Sequence, residues 1–274
     1  MAIHVDIILI SFNQRRYIER AIESIFVQIA DAHVKLIIAD DCSTDGTAAI
    51  IKYAMNKSPF EVLFLEQEKN MGISRNYQRA FKACDGDYIA ILEGDDYWCS
   101  PYHLQQHIIF MEKYPNCPLS MNAITYLDDN SGKISGPTWW YPSSPYFVDY
   151  KEQIEAGNQL GNLSACVLRT SCVKKLPDEM FELSVADWML GVMLSQQGPL
   201  GLLQESTSVY RKNTNSSWAS KSHFSQLMTE YRLSLEYDIF QRCKYHGLWV
   251  TFRRRVLKEG WHIIKRKIHC FIGR

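Results

Sequence analysis

Short apolar runs alternate with amphipathic segments over the first hundred residues of the chain. The apolar runs predict strands near residues 4–11, 34–40, 60–66 and 87–93. The intervening segments predict helices near residues 14–28, 46–57 and 74–83. Strands that alternate with helices in this way are typical of the α/β class, with a mostly parallel central sheet flanked by helices.

Three carboxylates follow the apolar run at residues 88–92. They are Glu93, Asp95 and Asp96, and they would repel one another unless a cation lay between them. Mg²⁺ and Mn²⁺ prefer hard oxygen ligands and leave coordination positions for phosphate oxygens. The alternative for such a triplet, taken alone, is a solvated turn.

A second acidic pair, Asp40 and Asp41, follows the apolar run at residues 35–39. The first predicted strand likewise runs into a polar turn, which contains Ser11 and Asn13. In an open α/β sheet, ligands bind outside the carboxyl ends of the strands, so these strand ends should converge on one crevice. This convergence favours a metal site over a solvated turn.

Several of these segments resemble family 2 glycosyltransferases and follow the order found in that family. They are residues 8–14 (ILISFNQ), 21–25 (AIESI), 38–47 (IADDCSTDGT), 69–72 (KNMG), 75–76 (RN), 86–90 (GDYIA) and 93–96 (EGDD). The resemblance is strong through about Leu104, is weaker but recognisable through residues 209–211, and fades in the C-terminal tail. One of these motifs alone would be weak evidence, but the ordered set is specific.

The resemblance implies a GT-A-type, metal-dependent, inverting enzyme. Asp95 would ligate Mn²⁺ or Mg²⁺, which would bridge two phosphates and stabilise charge on the leaving diphosphate. Glu93 occupies the position of the first acid in the family's Asp-x-Asp motif, so it would hold the ribose or contribute to the metal site. Glutamate at this position is a departure from the family pattern.

The resemblance also implies a donor pocket. Asp41 would read the edge of the base, with Asp40 nearby, and Ser11 and Asn13 would line the same pocket. The full set assigned to donor binding is Ser11, Asn13, Asp40, Asp41, Asn70, Arg75, Glu93 and Arg211.

Asp187 begins an apolar helical segment and has two interpretations. An acidic residue at a helix start is usually a cap or a partner of the helix dipole. In the family, however, an acidic residue late in the chain faces the acceptor and acts as the base. Family members often have Glu-Asp here, whereas this chain has Ala186-Asp187. Asp187 would therefore carry the role alone, taking the proton from the attacking hydroxyl.

The function that follows is transfer of a hexosyl group from a nucleoside-diphosphate sugar, with a UDP-sugar favoured. The acceptor would be a hydroxyl of a glycan or a lipid-linked oligosaccharide in cell-surface polysaccharide synthesis. Two alternatives stay open: a sugar nucleotidyltransferase and a non-catalytic sugar-nucleotide-binding module. The first would carry a Gly-rich loop after the first strand, whereas residues 11–14 read SFNQ. The second is disfavoured because Asp41, Glu93, Asp95 and Asp187 are all retained.

The composition limits the possible functions and the cellular compartment of the protein. The chain has 274 residues, of which 46% are hydrophobic. Its formal net charge is zero, so it lacks the overall positive charge that is typical of nucleic-acid-binding proteins. Its eight cysteines are scattered, and their surroundings favour reduced, buried thiols. We see no signal peptide at the N-terminus and no apolar run long enough to span a bilayer. These features favour a cytoplasmic protein.

We divide the chain into a glycosyltransferase domain, residues 1–215, and a helical tail, residues 216–274. The domain would have a nucleotide-binding half (1–100) and an acceptor-binding half (101–215). In the second half Pro101 should start a helix through Lys113. That helix carries a histidine pair whose spacing suits Zn²⁺, although no third ligand is evident. Trp139, Trp140 and Tyr141 could stack on a sugar ring or pack as an ordinary loop.

The tail from Gly247 to Arg274 combines apolar and basic residues at helical spacing. The apolar ones are Trp249, Phe252, Val256, Ile264, Ile268 and Phe271. The basic ones are Arg253, Arg254, Arg255, Lys258, Lys265, Arg266 and Lys267, against one acid, Glu259. Such a helix can lie in the headgroup region of an anionic membrane, here the inner face of the cytoplasmic membrane. The alternative is packing on the catalytic domain.

Overall fold

A computed structural model describes residues 2–137, 146–156, 158, 160–184, 187–212, 221–241, 250 and 253–262. Some residues named above lie outside this part of the chain: Trp139, Trp140, Tyr141, Ala186, Trp249, Phe252, Ile264, Lys265, Arg266, Lys267, Ile268 and Phe271. The expectations for these residues therefore stay predictions.

The described residues form ten strands and eight α-helices, together with a further helical segment at residues 253–262. The strands are β1 (His4–Ser11), β2 (His33–Asp40), β3 (Glu61–Leu65), β4 (Tyr88–Glu93), β5 (Tyr97–Trp98), β6 (Leu119–Asp128), β7 (Ile134–Ser135), β8 (Tyr146–Val148), β9 (Cys166–Arg169) and β10 (Leu200–Lys212). The helices are α1 (Ile18–Phe26), α2 (Thr47–Met55), α3 (Ile73–Lys82), α4 (His103–Lys113), α5 (Tyr150–Ala156), α6 (Thr170–Val173), α7 (Asp187–Ser195) and α8 (His223–Phe240). Short 3₁₀ turns span Leu163–Ala165 and Asp178–Glu182.

One sheet contains all of these strands, and most of its paired residues lie in parallel ladders. The main strand order is β3-β2-β1-β4-β9-β6-β10-β5, with β7 beside β6 and β8 beside β10. Strands β3, β2, β1 and β4 are parallel, β9 is antiparallel to both of its neighbours, and β6 is parallel to β10. The predicted α/β class, with a mostly parallel central sheet flanked by helices, is confirmed.

Burial explains why the first four strands could be recognised. Strand β1 is buried over seven of its eight residues, as expected for a central parallel strand that is covered on both faces. Helix α1 packs Ile18, Ala21, Ile22 and Ile25 into the same core, at the spacing of one helical face. The predicted helix over residues 14–28 is too long, because residues 14–17 form a turn in which the Gln14 backbone N–H binds Thr47 Oγ1.

The chain divides into two compact units. The first comprises Met1–Gln153 and Gly157–Lys212, and the second comprises Ile154–Ala156 and Asn213–Arg274. The functional division at residue 215 stays a prediction. Six cysteines of the described part form no disulfide: Cys42, Cys84, Cys99, Cys117, Cys166 and Cys172. No helix in the described ranges is long and apolar enough to cross a membrane.

Candidate functional site

The carboxyl ends of three neighbouring strands meet at one edge of the sheet. Strand β1 lies between β2 and β4, with Ser11 paired to Asp40 and Ile10 paired to Glu93. The chain order reverses across β1, since β2 and β3 lie on one side and β4 on the other. Such a reversal opens the crevice where ligands bind in open α/β sheets. The predicted convergence of Ser11, Asp40 and Glu93 thus follows from the strand register.

Asp40 joins the first two strand ends. Its Oδ1 accepts hydrogen bonds from Ser11 Oγ at 2.7 Å and from Ser43 Oγ at 2.6 Å, and its Oδ2 accepts one from the Ser43 backbone N–H at 2.9 Å. The side chain is buried. A carboxylate offers about four acceptor positions, so these three bonds leave one position, on Oδ2.

Asp41 holds the loop that precedes α3. Its Oδ1 accepts from Gln67 Nε2 and from the Met71 backbone N–H, both at 2.9 Å, and its Oδ2 accepts from the Gly72 N–H at 2.8 Å. Gly72 has a φ of +85°, a conformation that glycine adopts without strain. The same count of acceptor positions leaves one on Oδ2 for a ligand.

The other predicted donor residues are distributed around this edge. Asn13 has a φ of 52° and accepts the Thr44 backbone N–H on Oδ1 at 2.8 Å, so it links the ends of β1 and β2. Asn70 is exposed and accepts the Gly72 N–H at 3.0 Å. The guanidinium of Arg75, on α3, instead forms an ion pair with Glu182 and a hydrogen bond to Gln78.

Glu93, Asp95 and Asp96 form the acidic centre of the site. One carboxylate oxygen from each lies within 4.8 Å of the others, and no comparable group of potential metal ligands occurs elsewhere in the described residues. Burial, and then the charge of Asp95, raise the pKa of Glu93 to about 7. Burial, and then the charges of Asp95 and Glu93, hold the pKa of Asp96 well above its usual value. Ionising all three carboxylates together is therefore costly.

Three donors from distant parts of the chain orient Asp96. Its Oδ2 accepts from Ser164 Oγ at 2.6 Å and from Asn162 Nδ2 at 3.0 Å, and its Oδ1 accepts the Arg211 backbone N–H at 2.8 Å. Sequence reasoning gave Asp96 no separate role and did not identify Asn162 or Ser164. Asn162 also receives its own local bond, since its Oδ1 accepts the Ser164 N–H at 2.7 Å.

Glu93 is held by the same segment and by α3. Tyr77, which is fully buried, donates its hydroxyl proton to Glu93 Oε1 at 2.8 Å. The Glu93 backbone N–H donates to Ser164 Oγ at 3.0 Å, so this hydroxyl connects Glu93 with Asp96. Nothing in the local sequence indicated Tyr77, because its position on the inner face of α3 is typical of an ordinary core residue.

Asp95 lies between Gln14 and Arg211. Gln14 Nε2 donates to Asp95 Oδ1 at 3.1 Å, and Arg211 Nε donates to the Asp95 carbonyl at 3.0 Å. Arg211 also forms an ion pair with Asp129 at 2.9 Å. A Cβ at position 94 would come within 2.3 Å of Gln14 Oε1, so a larger residue there would displace the Gln14 side chain that binds Asp95. Arg211, which was predicted to bind the nucleotide-sugar donor, thus contacts the acidic turn directly. Its partner Asp129 was not identified from the sequence.

Asp187 begins α7 beside the acidic centre. Its Oδ2 accepts from Asn158 Nδ2 at 3.0 Å, and its Oδ1 accepts the Trp188 backbone N–H at 3.1 Å. Burial raises its pKa. Its charge in turn contributes to the raised pKa of Glu93, after burial and Asp95, and to that of Tyr77. Asp187 is therefore close enough to interact electrostatically with the centre, which its sequence position alone did not establish.

The histidine pair on α4 is part of the core. His103 Nδ1 lies 2.8 Å from Thr207 Oγ1, and His107 Nδ1 lies 2.8 Å from Ser120 Oγ. Burial lowers the pKa of His107 to about 4 and that of His103 well below its usual value. Within the described residues the pair belongs to no cluster of three potential metal ligands. Its surroundings are those of a buried, neutral, hydrogen-bonded pair.

The chemistry of the acidic centre fits a divalent cation. All three members offer oxygen ligands, which Mg²⁺ and Mn²⁺ prefer. A divalent cation would also offset the crowding of charge that raises the pKa of Glu93. Together, the mostly parallel α/β sheet and the acidic centre at its switch point define the class of protein as GT-A-type.

Comparisons with known proteins agree with this class. Residues 6–161 match the family described as Glycosyl transferase family 2. The chain is 27% identical over 217 residues to the uncharacterized protein Rv1520 of Mycobacterium tuberculosis, covering 79% of this chain and 61% of the relative. This chain belongs to glycosyl transferase family 2.

Two solved structures share the fold. S. aureus TarS 1-349, in complex with UDP-GlcNAc, has a TM-score of 0.63 and 18% identity, covering 86% of this chain and 66% of that one. The mannosyltransferase PcManGT of Pyrobaculum calidifontis, in complex with GDP-Man and Mn²⁺, has a TM-score of 0.62 and 12% identity, covering 86% and 64%. The chain thus spans about two thirds or less of the length of the relatives it matches.

Proposed function

We propose that this chain is a metal-dependent, inverting glycosyltransferase that moves a hexosyl group from a nucleoside-diphosphate sugar to an acceptor hydroxyl. The observation that carries the proposal is the cluster of Glu93, Asp95 and Asp96 at the carboxyl end of β4, with Asp187 close enough for its charge to help raise the pKa of Glu93, after burial and Asp95. Family membership and the shared fold support it.

Glu93 and Asp95 would hold Mn²⁺ or Mg²⁺, whose charge would stabilise the leaving diphosphate. The presence of Mn²⁺ in the PcManGT complex supports this choice. The role of Asp96 is to keep the turn in place, because three protein donors already bind its carboxylate. Tyr77 orients Glu93 through its hydroxyl group.

The donor would lie along the edge formed by the ends of β1 and β2. Asp41 reads the base, since its Oδ2 keeps one acceptor position for an N–H on the base edge. Asp40, Ser11 and Asn13 shape the pocket wall. Asn70, Arg75 and Arg211 complete the donor set. A UDP-sugar is favoured because TarS binds UDP and UDP-GlcNAc, although PcManGT binds GDP-Man.

Asp187 acts as the base. It accepts a proton from the acceptor hydroxyl as that oxygen attacks the anomeric carbon, and the bond from this carbon to the diphosphate breaks. Burial raises the pKa of Asp187, which makes its ionised form a stronger base. Attack on the face opposite the diphosphate gives inversion. The acceptor would be a glycan or lipid-linked oligosaccharide in cell-surface polysaccharide synthesis, reached from the cytoplasmic side.

A screen of nucleotide sugars tests the proposal. We expect one donor, in the presence of Mn²⁺, to raise the melting temperature, because a ligand at 100 times its Kd stabilises the folded state by about 2.7 kcal/mol. Uridine and guanosine donors should be compared. The same donor should then be hydrolysed slowly, with the sugar released in the inverted anomeric configuration, as read by NMR.

Each step of the screen has a control. Asp31→Asn, an exposed carboxylate change outside the site, should leave both the shift and the hydrolysis unaltered. If no donor stabilises the protein with Mn²⁺ and none is hydrolysed, the proposal is wrong. Stabilisation with neither hydrolysis nor transfer would instead mark a binding module.

A further inference from the structure

The helix at residues 253–262 has two faces of different character. One face lies towards α8 within the second compact unit: Val256, Glu259 and Gly260 are partly buried. A Cβ added at Gly260 would lie 3.7 Å from the ring of Phe224, near the start of α8. Because residues three and four apart share a helix face, these three positions form one stripe.

Arg255, one helical turn before Glu259, is exposed but borders this inner face. Burial raises the pKa of Glu230 on α8, and the charge of Arg255 opposes that rise, so the two side chains are close. The one acid of the helix, Glu259, is also on this side. Arg255 and Glu259 are one helical turn apart, so the charges on this side of the helix are adjacent and of opposite sign.

The outer face combines two large apolar side chains with three cations. Leu257 is 62% exposed and Trp261, four residues later, is 60% exposed. Arg253, Arg254 and Lys258 are exposed and lie on the same side by helical spacing. This face contains no acidic residue.

We propose that this outer face binds peripherally to an anionic lipid bilayer. Leu257 and Trp261 would enter the headgroup region, where an amphipathic indole ring is favoured. Arg253, Arg254 and Lys258 would contact the lipid phosphates. A soluble acidic partner would satisfy the cations but not the exposed Leu and Trp, so the bilayer surface is the better match.

The inference goes beyond the proposed function, since membrane binding and sugar transfer can be measured separately. It also changes the expectation from the sequence, in which the membrane-facing stripe included Val256. Val256 is partly buried, and the outward apolar residues are Leu257 and Trp261.

Sedimentation of the whole chain with lipid vesicles tests the proposal. We expect binding to phosphatidylcholine vesicles that contain 30% phosphatidylglycerol and weak binding to pure phosphatidylcholine. The binding should weaken as salt is raised. The double variant Arg254→Gln/Lys258→Gln should lower the partition coefficient about 30-fold, since each cation near an anionic surface contributes about fivefold, equivalent to about 1 kcal/mol. Leu257→Ser/Trp261→Ser should lower binding at both low and high salt.

The control Ile109→Ser/Lys133→Gln removes an exposed apolar residue and an exposed cation from the first unit, and should bind like the wild type. Circular dichroism should show that all variants stay folded. The proposal is overturned if the wild type does not bind the anionic vesicles at low salt. It is also overturned if the control loses as much binding as the outer-face variants, or if loss of Leu257 and Trp261 has no effect. If the wild-type protein binds vesicles but no nucleotide sugar, the proposed enzymatic function is wrong and the membrane proposal is unaffected.

Discussion

The two acidic loops at the edge of the sheet look alike in sequence but differ in how their charges are balanced. In the first, the carboxylates of Asp40 and Asp41 each accept three hydrogen bonds from neutral protein donors. In the second, Glu93, Asp95 and Asp96 crowd together, and the pKa values of Glu93 and Asp96 are raised. Asp96 also accepts three hydrogen bonds from neutral donors, so the second loop differs from the first in the crowding of its carboxylates, which suits it to receive a cation.

The difference teaches that an acidic pair after a buried strand does not by itself define a ligand site. Donors that surround a carboxylate satisfy its charge and make it a structural anchor. Carboxylates that face one another repel each other when ionised, and a bound metal ion can offset this repulsion. Changes in the second loop should therefore reduce activity, and changes in the first should reduce stability.

Asp187→Asn should have the largest effect. Loss of the base should lower the rate of transfer about 10²- to 10⁴-fold, while donor affinity stays nearly constant, because the lost interaction belongs to the transition state. A transfer assay and a donor titration by calorimetry check both parts. A large fall in donor affinity with transfer preserved would show that Asp187 is a structural cap.

Asp95→Asn should lower transfer about 10²- to 10³-fold with the fold intact, because it removes a charged ligand but keeps the shape of the side chain. The stabilisation of the protein by Mn²⁺ should also be lost, which a thermal melt can measure without any substrate. The matched change Asp31→Asn should have neither effect. Turnover near the wild-type level in Mn²⁺ would refute the metal assignment.

Acid should destabilise the protein through the buried histidines of α4, outside both loops. The pKa of His107 in the folded state, about 4, is below its unfolded value of about 6.5. Its stabilising contribution is complete above pH 6.5 and is lost as the pH falls towards 4, by about 3 kcal/mol. Urea unfolding at several pH values should show this loss.

The variant His107→Gln should flatten the same pH profile between 6.5 and 4. The pH dependence of the unfolding free energy that remains would then come from the titration of carboxylates, including those of the two loops. An unchanged profile would mean that His107 is not held neutral in the folded protein.

Asp41→Asn should have the smallest effect of these changes, and we expect it to lower stability as well as donor affinity. One side-chain NH₂ group would replace a carboxylate oxygen that now accepts a backbone N–H, from Met71 or from Gly72, so the free energy of unfolding should fall by about 2 kcal/mol. Urea unfolding measures the loss, and Asp95→Asn should not reproduce it. Unchanged stability with weaker donor binding would instead make Asp41 chiefly a ligand-binding residue.

The strands that build the site could be predicted closely. The prediction for β1 agrees with His4–Ser11, and β4 begins one residue later than predicted. These strands are recognisable because both faces are buried, which leaves continuous apolar runs. The start of α1 could not be predicted, because the turn before it depends on Thr47 and Asp95 from other segments.

The sequence by itself determined which residues end the parallel strands, and hence that Ser11, Asp40 and Glu93 share one edge. Tertiary structure decided which carboxylates are anchored and which are crowded. Asn162, Ser164 and Arg211, the donors that anchor Asp96 within the crowded centre, are 66 to 115 residues from it in the chain. Local propensity carries no information about such partners, because their approach depends on how β4, β9, β6 and β10 are ordered in the sheet.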